Sequence, residues 1–212
     1  TPYTSSECGL LSVAFHPSFT ENHYVYLFVT VSATEQQIQR WIDDPTTDTG
    51  TFDKVIVGGL PTQGINHDGG GLGFGRDGHL YWSIGDNGSP RRGIDGDLTA
   101  LTAKVGRATA EGAIPLDNPF YDGPGPNNDY IWARGFRNPF TLTFRPATGD
   151  LWLDVVGSLW EQVMVVTRAM HGGWDDYEND QPAGYQLPVI AYRTNGQNQR
   201  PIVNLVRVGD VV

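Results

Sequence analysis

A strand, a tight turn and a second strand recur three times along the 212-residue chain, and this repeat restricts its fold more than any other feature. The copies read Leu11-Ser-Val-Ala-Phe15-His-Pro leading to Tyr24-Val-Tyr26, then Gly71-Leu-Gly-Phe74-Gly-Arg-Asp-Gly-His-Leu80-Tyr81, then Thr141-Leu-Thr-Phe144-Arg-Pro-Ala-Thr-Gly-Asp-Leu151-Trp152. Their phenylalanines stand 59 and 70 residues apart. Those intervals exceed solenoid periods of ~20–35 residues and suit β-propeller blades of ~40–50 residues that carry inserted loops. The 27 glycines and 14 prolines punctuate the chain far more often than a helical protein tolerates. The predicted fold class is therefore all-β, a single propeller domain over residues 1–212. At about 50 residues per blade, that length covers about four blades.

Strands are expected at Leu10–Phe15, Tyr24–Val31, Lys54–Val57, Leu80–Ile84, Phe140–Phe144, Leu151–Val155, Gln162–Val166, Val189–Tyr192 and Ile202–Val208, where β-branched and aromatic residues fall between turn residues. Glu35 to Trp41 suits a short helix or an outer strand equally well. Asp43 to Gly50 and the breaker-rich Asp117 to Asn128 read as loops. A formal charge of −10 disfavours nucleic acid and anionic membranes as partners, and no apolar run reaches the ~18–20 residues of a membrane span. Cys8 is the sole cysteine, which rules out an internal disulfide and a multi-cysteine metal site.

Hairpin geometry turns the repeat into a site. The first strand of each hairpin runs away from its leading loop and the second returns to it, so the flanking loops share one face. Seven residues before each phenylalanine stand Cys8, His67 and Arg137, accompanied by Glu7, Asn66, Asp68 and Asn138. Asp86 follows the return strand of the second hairpin, and Gly157-Ser158 that of the third. His67, in Asn66-His-Asp-Gly-Gly-Gly71, has the chemistry of a general base, and Asp86 that of the carboxylate that orients it. Arg137-Asn138-Pro139 offers a cation and an amide for a planar, carboxylate-bearing ligand. Taken singly, each has a plain structural alternative: a loop histidine, an Asp-Asn-Gly turn, an arginine tied to an internal acid such as Asp154. His16 and His79 read as structural. No lysine follows the three glycines, which argues against a nucleotide cradle, and no transition-metal ligand set is visible, although an oxygen-ligated calcium remains open.

Several motifs in order resemble the soluble quinoprotein glucose/sorbosone dehydrogenases: Glu7-Cys-Gly-Leu-Leu-Ser-Val-Ala-Phe-His-Pro17, Asn66-His-Asp-Gly-Gly70 with Gly85-Asp86, Ala113-Ile-Pro-Leu-Asp-Asn-Pro119, Gly135-Phe-Arg-Asn-Pro139, Ala147-Thr-Gly-Asp-Leu-Trp152, Trp160-Glu161 and Gly172-Gly-Trp174. The resemblance implies a six-bladed propeller that oxidises an aldose with pyrroloquinoline quinone (PQQ) and Ca2+, found in the periplasm or secreted, and passing electrons to an external acceptor. It implies His67 as base, Asp86 as its orienter, Glu7, Arg137 and Asn138 as cofactor contacts, and the carbonyls of Gly157 and Ser158 as calcium ligands. It also implies that the chain begins after the family's first blade and ends before its last. The pattern departs from the family at Asp154-Val-Val-Gly157, Gln162, Phe140 and His171-Gly-Gly-Trp174, changes that lower the expected affinity for calcium and cofactor. A non-catalytic propeller of the hedgehog-interacting branch is the competing expectation.

Overall fold

The computed structural model describes residues 1–88 and 94–194. Twelve strands form three four-stranded antiparallel sheets among these residues. The first sheet joins β1 (Leu10–Phe15), β2 (Tyr24–Ser32), β3 (Glu35–Asp44) and β4 (Thr49–Pro61), with one helical turn, α1 (Phe19–Asn22), between β1 and β2. The second joins β5 (Leu72–Phe74), β6 (Leu80–Ile84), β7 (Lys104–Ala108) and β8 (Ile131–Arg134), and the third β9 (Asn138–Phe144), β10 (Leu151–Val156), β11 (Trp160–Val166) and β12 (Ile190–Arg193). In each sheet the strands lie side by side in chain order. The expected strand at Ile202–Val208 lies outside the described residues.

Three sheets lie among the described residues, where about four blades were expected of the whole chain. Long insertions separate their strands: residues 85–103 and 109–130 lie inside the second sheet and 167–189 inside the third. Glu35 to Trp41 is strand, with Gln36, Ile38 and Arg40 buried on one face. The loop expected at Asp43–Gly50 is shorter, because β3 runs to Asp44 and β4 resumes at Thr49. Arg40 keeps that ribbon in place through Asp53 (2.7 Å) and Glu111. Strands β7 and β8 were not expected. Lys104-Val-Gly-Arg-Ala108 looks polar, yet all five residues are buried because each cation finds acceptors: Lys104 Nζ donates to Ile94 O (2.7 Å), and Arg107 Nη1 to Asp117 (2.8 Å) and Asn118 (3.0 Å).

Apolar faces stack sheet on sheet. One core combines Tyr26, Phe28 and Ile38 of the first sheet with Leu80, Trp82 and Ile84 of the second. A second combines Tyr81 and Val105 with Leu142, Leu153, Val155 and Met164 of the third. The repeat phenylalanines fasten these stacks: Phe74 meets Tyr26 edge-on at 5.0 Å, and Phe144 meets Tyr81 at 5.3 Å. Strands β1, β5 and β9 therefore lie side by side and line an open cavity of about 540 Å³, to which Val13, Phe15, Phe74 and Phe144 contribute.

Candidate active site

The loops that enter and leave the hairpins meet at the opposite end of these inner strands. Asp86 N donates to Arg137 O (2.8 Å) and Asn87 N to His67 O (3.3 Å), so the three loops are joined through their backbones. Glycine permits this approach: a Cβ on Gly85 would stand 2.8 Å from Arg137 O, and one on Gly69 would press on the Ser83–Ile84 backbone. The three glycines after His67 thus serve strand packing. His67 itself has φ of 57°, a left-handed conformation costing about 1–2 kcal/mol in a non-glycine residue. Glu7 holds it there, with Oε2 accepting from His67 N at 2.7 Å.

His67 Nδ1 stands 2.5 Å from Asp86 Oδ1. Asp86 is 2% exposed, whereas the His67 side chain keeps 17% of its surface open. The carboxylate accepts the Nδ1 proton and so leaves Nε2, which has no partner among the described residues, as the basic nitrogen. Asp86 Oδ1 also accepts from Gly88 N (2.9 Å) and Oδ2 from the Trp174 indole Nε1 (2.9 Å).

Arg137 reaches the third sheet. Its Nη1 donates to the carbonyls of Val156 (3.3 Å) and Gly157 (3.2 Å), not to Asp154, and its Cζ lies 5.7 Å from the Trp174 ring centroid. Nη2 and Nε have no hydrogen-bond partner among the described residues, although the guanidinium charge acts on Glu161, and two free N–H-bearing nitrogens suit a planar anionic group such as PQQ. Asn138 is placed differently from expectation. It is 1% exposed, and its amide is consumed by Glu7 Oε2 (3.2 Å) and Gly69 N (3.2 Å). It braces the His67 loop through both ends of its amide.

The carbonyls expected to hold calcium each accept a hydrogen bond from the protein. Gly157 O carries Arg137, and Ser158 O accepts from Thr194 Oγ1 at 3.2 Å. Glu178 turns inward to the amides of Ser158 and Leu159 (2.8 Å to the latter). Two such carbonyls fall well short of the six to eight oxygens calcium takes. No group of three His, Cys, Asp or Glu side chains among the described residues fits a metal ion. These two carbonyls do not by themselves make up a calcium site. Sequence reasoning also missed Trp174 as a partner of Asp86, since 88 residues separate them.

Stacked antiparallel sheets with this array of loops at one mouth are the architecture of the sugar dehydrogenase propellers. The chain belongs to the glucose/sorbosone dehydrogenase family, whose profile matches residues 2–205. It is 28% identical over 206 residues to quinoprotein glucose dehydrogenase B of Acinetobacter calcoaceticus, covering 84% of this chain and 42% of that protein. The PQQ-bound aldose sugar dehydrogenase of Streptomyces coelicolor superimposes with a TM-score of 0.78 at 28% identity, over 90% of this chain and 55% of that one. HIPL2 protein of Arabidopsis thaliana is 30% identical over 145 residues, 59% of this chain and 20% of that protein. The chain spans about half the length of the curated relatives it matches along most of its length. Among the described residues no helix is long and apolar enough to cross a membrane.

Proposed function

We propose that this chain carries the proton-handling and cofactor-gripping part of a PQQ-dependent sugar dehydrogenase that oxidises an aldose at its anomeric carbon. The observation that carries this reading is the His67–Asp86 pair, with a buried carboxylate on Nδ1 and a free Nε2. His67 Nε2 takes the proton of the anomeric hydroxyl while the C–H electron pair departs as hydride, and the carbon–oxygen double bond forms. PQQ, when bound, supplies the two-electron acceptor for that hydride. Arg137 grips the cofactor's carboxylates through the nitrogens it does not spend on Val156 and Gly157. Glu7 and Asn138 hold the His67 loop in register. Asp86 keeps the imidazole in one tautomer and steadies it once protonated. The electrons then pass to an external acceptor, in a periplasmic or secreted setting and within a six-bladed ring.

The test compares two variants of protein reconstituted with PQQ. His67→Ala lowers turnover about 10²–10⁴-fold and leaves cofactor affinity intact, because the imidazole moves a proton and does not hold the quinone. Arg137→Ala weakens cofactor binding first, by about 1.5–3 kcal/mol for each charge-assisted hydrogen bond lost. Retention of wild-type turnover by His67→Ala refutes the mechanism. The hydrogen bonds around Gly157 support a second reading, a non-catalytic propeller akin to the hedgehog-interacting branch; failure of the unmutated full-length protein to bind PQQ would favour it.

A further inference from the structure

The Gly172-Gly-Trp174 motif has no part in the mechanism above, yet its indole reaches into the site. We propose that Trp174 is a positioning residue: it fixes the carboxylate plane of Asp86 and ties the base to the arginine that grips the cofactor. The inference rests on His67 being the base.

Three observations carry it. The Trp174 Nε1–H donates to Asp86 Oδ2 at 2.9 Å, while Oδ1 takes His67 Nδ1 at 2.5 Å and Gly88 N at 2.9 Å. Both carboxylate oxygens are thereby held, and rotation about the Cβ–Cγ bond would break a bond on either side. The indole also meets the Arg137 guanidinium, 5.7 Å from its ring centroid. Finally, the segment that delivers the indole is itself pinned to the end of β8 and the residue after it, with Trp174 N donating to Gly135 O (3.2 Å) and Gly172 N to Arg134 O (2.9 Å). A tryptophan that needed only a partner for its N–H could take any carbonyl or water. This one takes the buried carboxylate on which the base depends.

The sign of the effect follows from the charge on Asp86. An N–H aimed at one oxygen stabilises that charge and weakens its hold on the imidazole proton. Without the indole, the Asp86 carboxylate holds the imidazole N–H more tightly. The other charged groups around the pair are Glu7, bound to His67 N; Asp68, occupied by Cys8, Gln36 and Thr62; Arg137; and, on the Trp174 segment, His171 paired with Asp95 at 2.9 Å, with Asp175 and Asp176 following in the chain. Trp174→Phe alters none of them and keeps a ring beside Arg137.

The experiment uses Trp174→Phe and Trp174→Leu in the PQQ-loaded protein. Trp174→Phe moves the acid limb of the kcat/KM profile to higher pH, lowers kcat about tenfold for a lost hydrogen bond of about 1.4 kcal/mol, and leaves PQQ affinity unchanged. Trp174→Leu shows the same shift and also weakens PQQ binding, since the contact with Arg137 goes too. A readout without cofactor accompanies them: in the unloaded protein the Trp174 indole N–H resonance moves upfield on Asp86→Asn, and the His67 ring N–H resonance moves in Trp174→Phe. Those resonance changes in a protein that oxidises no sugar uphold the positioning contact while ending the functional reading. A Trp174→Phe protein with an unshifted pH profile, or an indole resonance indifferent to Asp86→Asn, overturns the inference.

Discussion

Asp68, beside the proposed base, has no exposed surface, and three donors meet its carboxylate: Cys8 Sγ at 3.1 Å, Gln36 Nε2 at 3.2 Å and the Thr62 hydroxyl. Removing the acceptor strands all three, so Asp68→Ala should cost about 3–5 kcal/mol, read as a lowered midpoint in thermal unfolding. Burial, with Asp68 as the next cause, pushes the Cys8 thiol up to about 12. The thiol stays protonated at pH 8, and native protein should resist iodoacetamide that labels the unfolded chain at once. Residues of this kind mark what can be read from sequence alone. His67, Asp86 and Arg137 were legible because a hairpin repeat returns fixed offsets to one face. Asn138 was legible as a neighbour but not as a brace, because its partners Glu7 and Gly69 stand 131 and 69 residues away. Which polar group pairs with which depends on the packed fold, and no local spacing encodes it.

At the scale of elements, strands β10 and β11 contain a strained pair. Asp154 is fully buried with neither carboxylate oxygen hydrogen-bonded, and Glu161, 2% exposed, leaves Oε2 unpaired. Burial first, and the charge of Glu161 second, push Asp154 up to about 8; burial raises Glu161 as well. A carboxyl whose folded value lies above its unfolded one stays protonated in the native state while the unfolded chain has released its proton. Stability is therefore lost as pH rises from about 4 to about 8 and is level above. Asp154→Asn removes the charge and keeps the shape. Its advantage in chemical denaturation should be near zero at pH 4 and grow to about 3–5 kcal/mol at pH 8; a constant difference across that range would contradict the burial argument. Elements were unevenly legible for related reasons. Strands rich in Val, Phe and Tyr announced themselves. The β7 strand did not, because Lys104 and Arg107 look exposed until the carbonyls and carboxylates that receive them are folded around the strand.

Across the whole molecule the sheets follow one another by a fixed rule, each phenylalanine entering against an aromatic residue of the sheet before it. Among the described residues Phe15 meets no aromatic residue of another sheet and is 57% exposed, beside Val13 at 52%. The first sheet's outer face also bears Phe52 and Val55, 47% and 42% exposed. A face so apolar favours association. The purified 212-residue chain should therefore form oligomers in light scattering, and Phe15→Ser should shift it towards monomer; a monodisperse wild-type monomer would refute the expectation. A different consequence follows from the way the loops interlock. Glu7 leads into the first sheet, Asp86 leaves the second, and Trp174 hangs from the third, yet hydrogen bonds and a ring contact link them all through His67 and Arg137. The His67–Asp86 pair thus sits where the loops of all three sheets meet, remote from the Phe74–Tyr26 and Phe144–Tyr81 contacts that set the spacing of the sheets. A change of a few degrees in the angle between neighbouring sheets is therefore felt in the contact between the imidazole and the carboxylate, which makes the geometry of that pair a gauge of how the sheets are stacked.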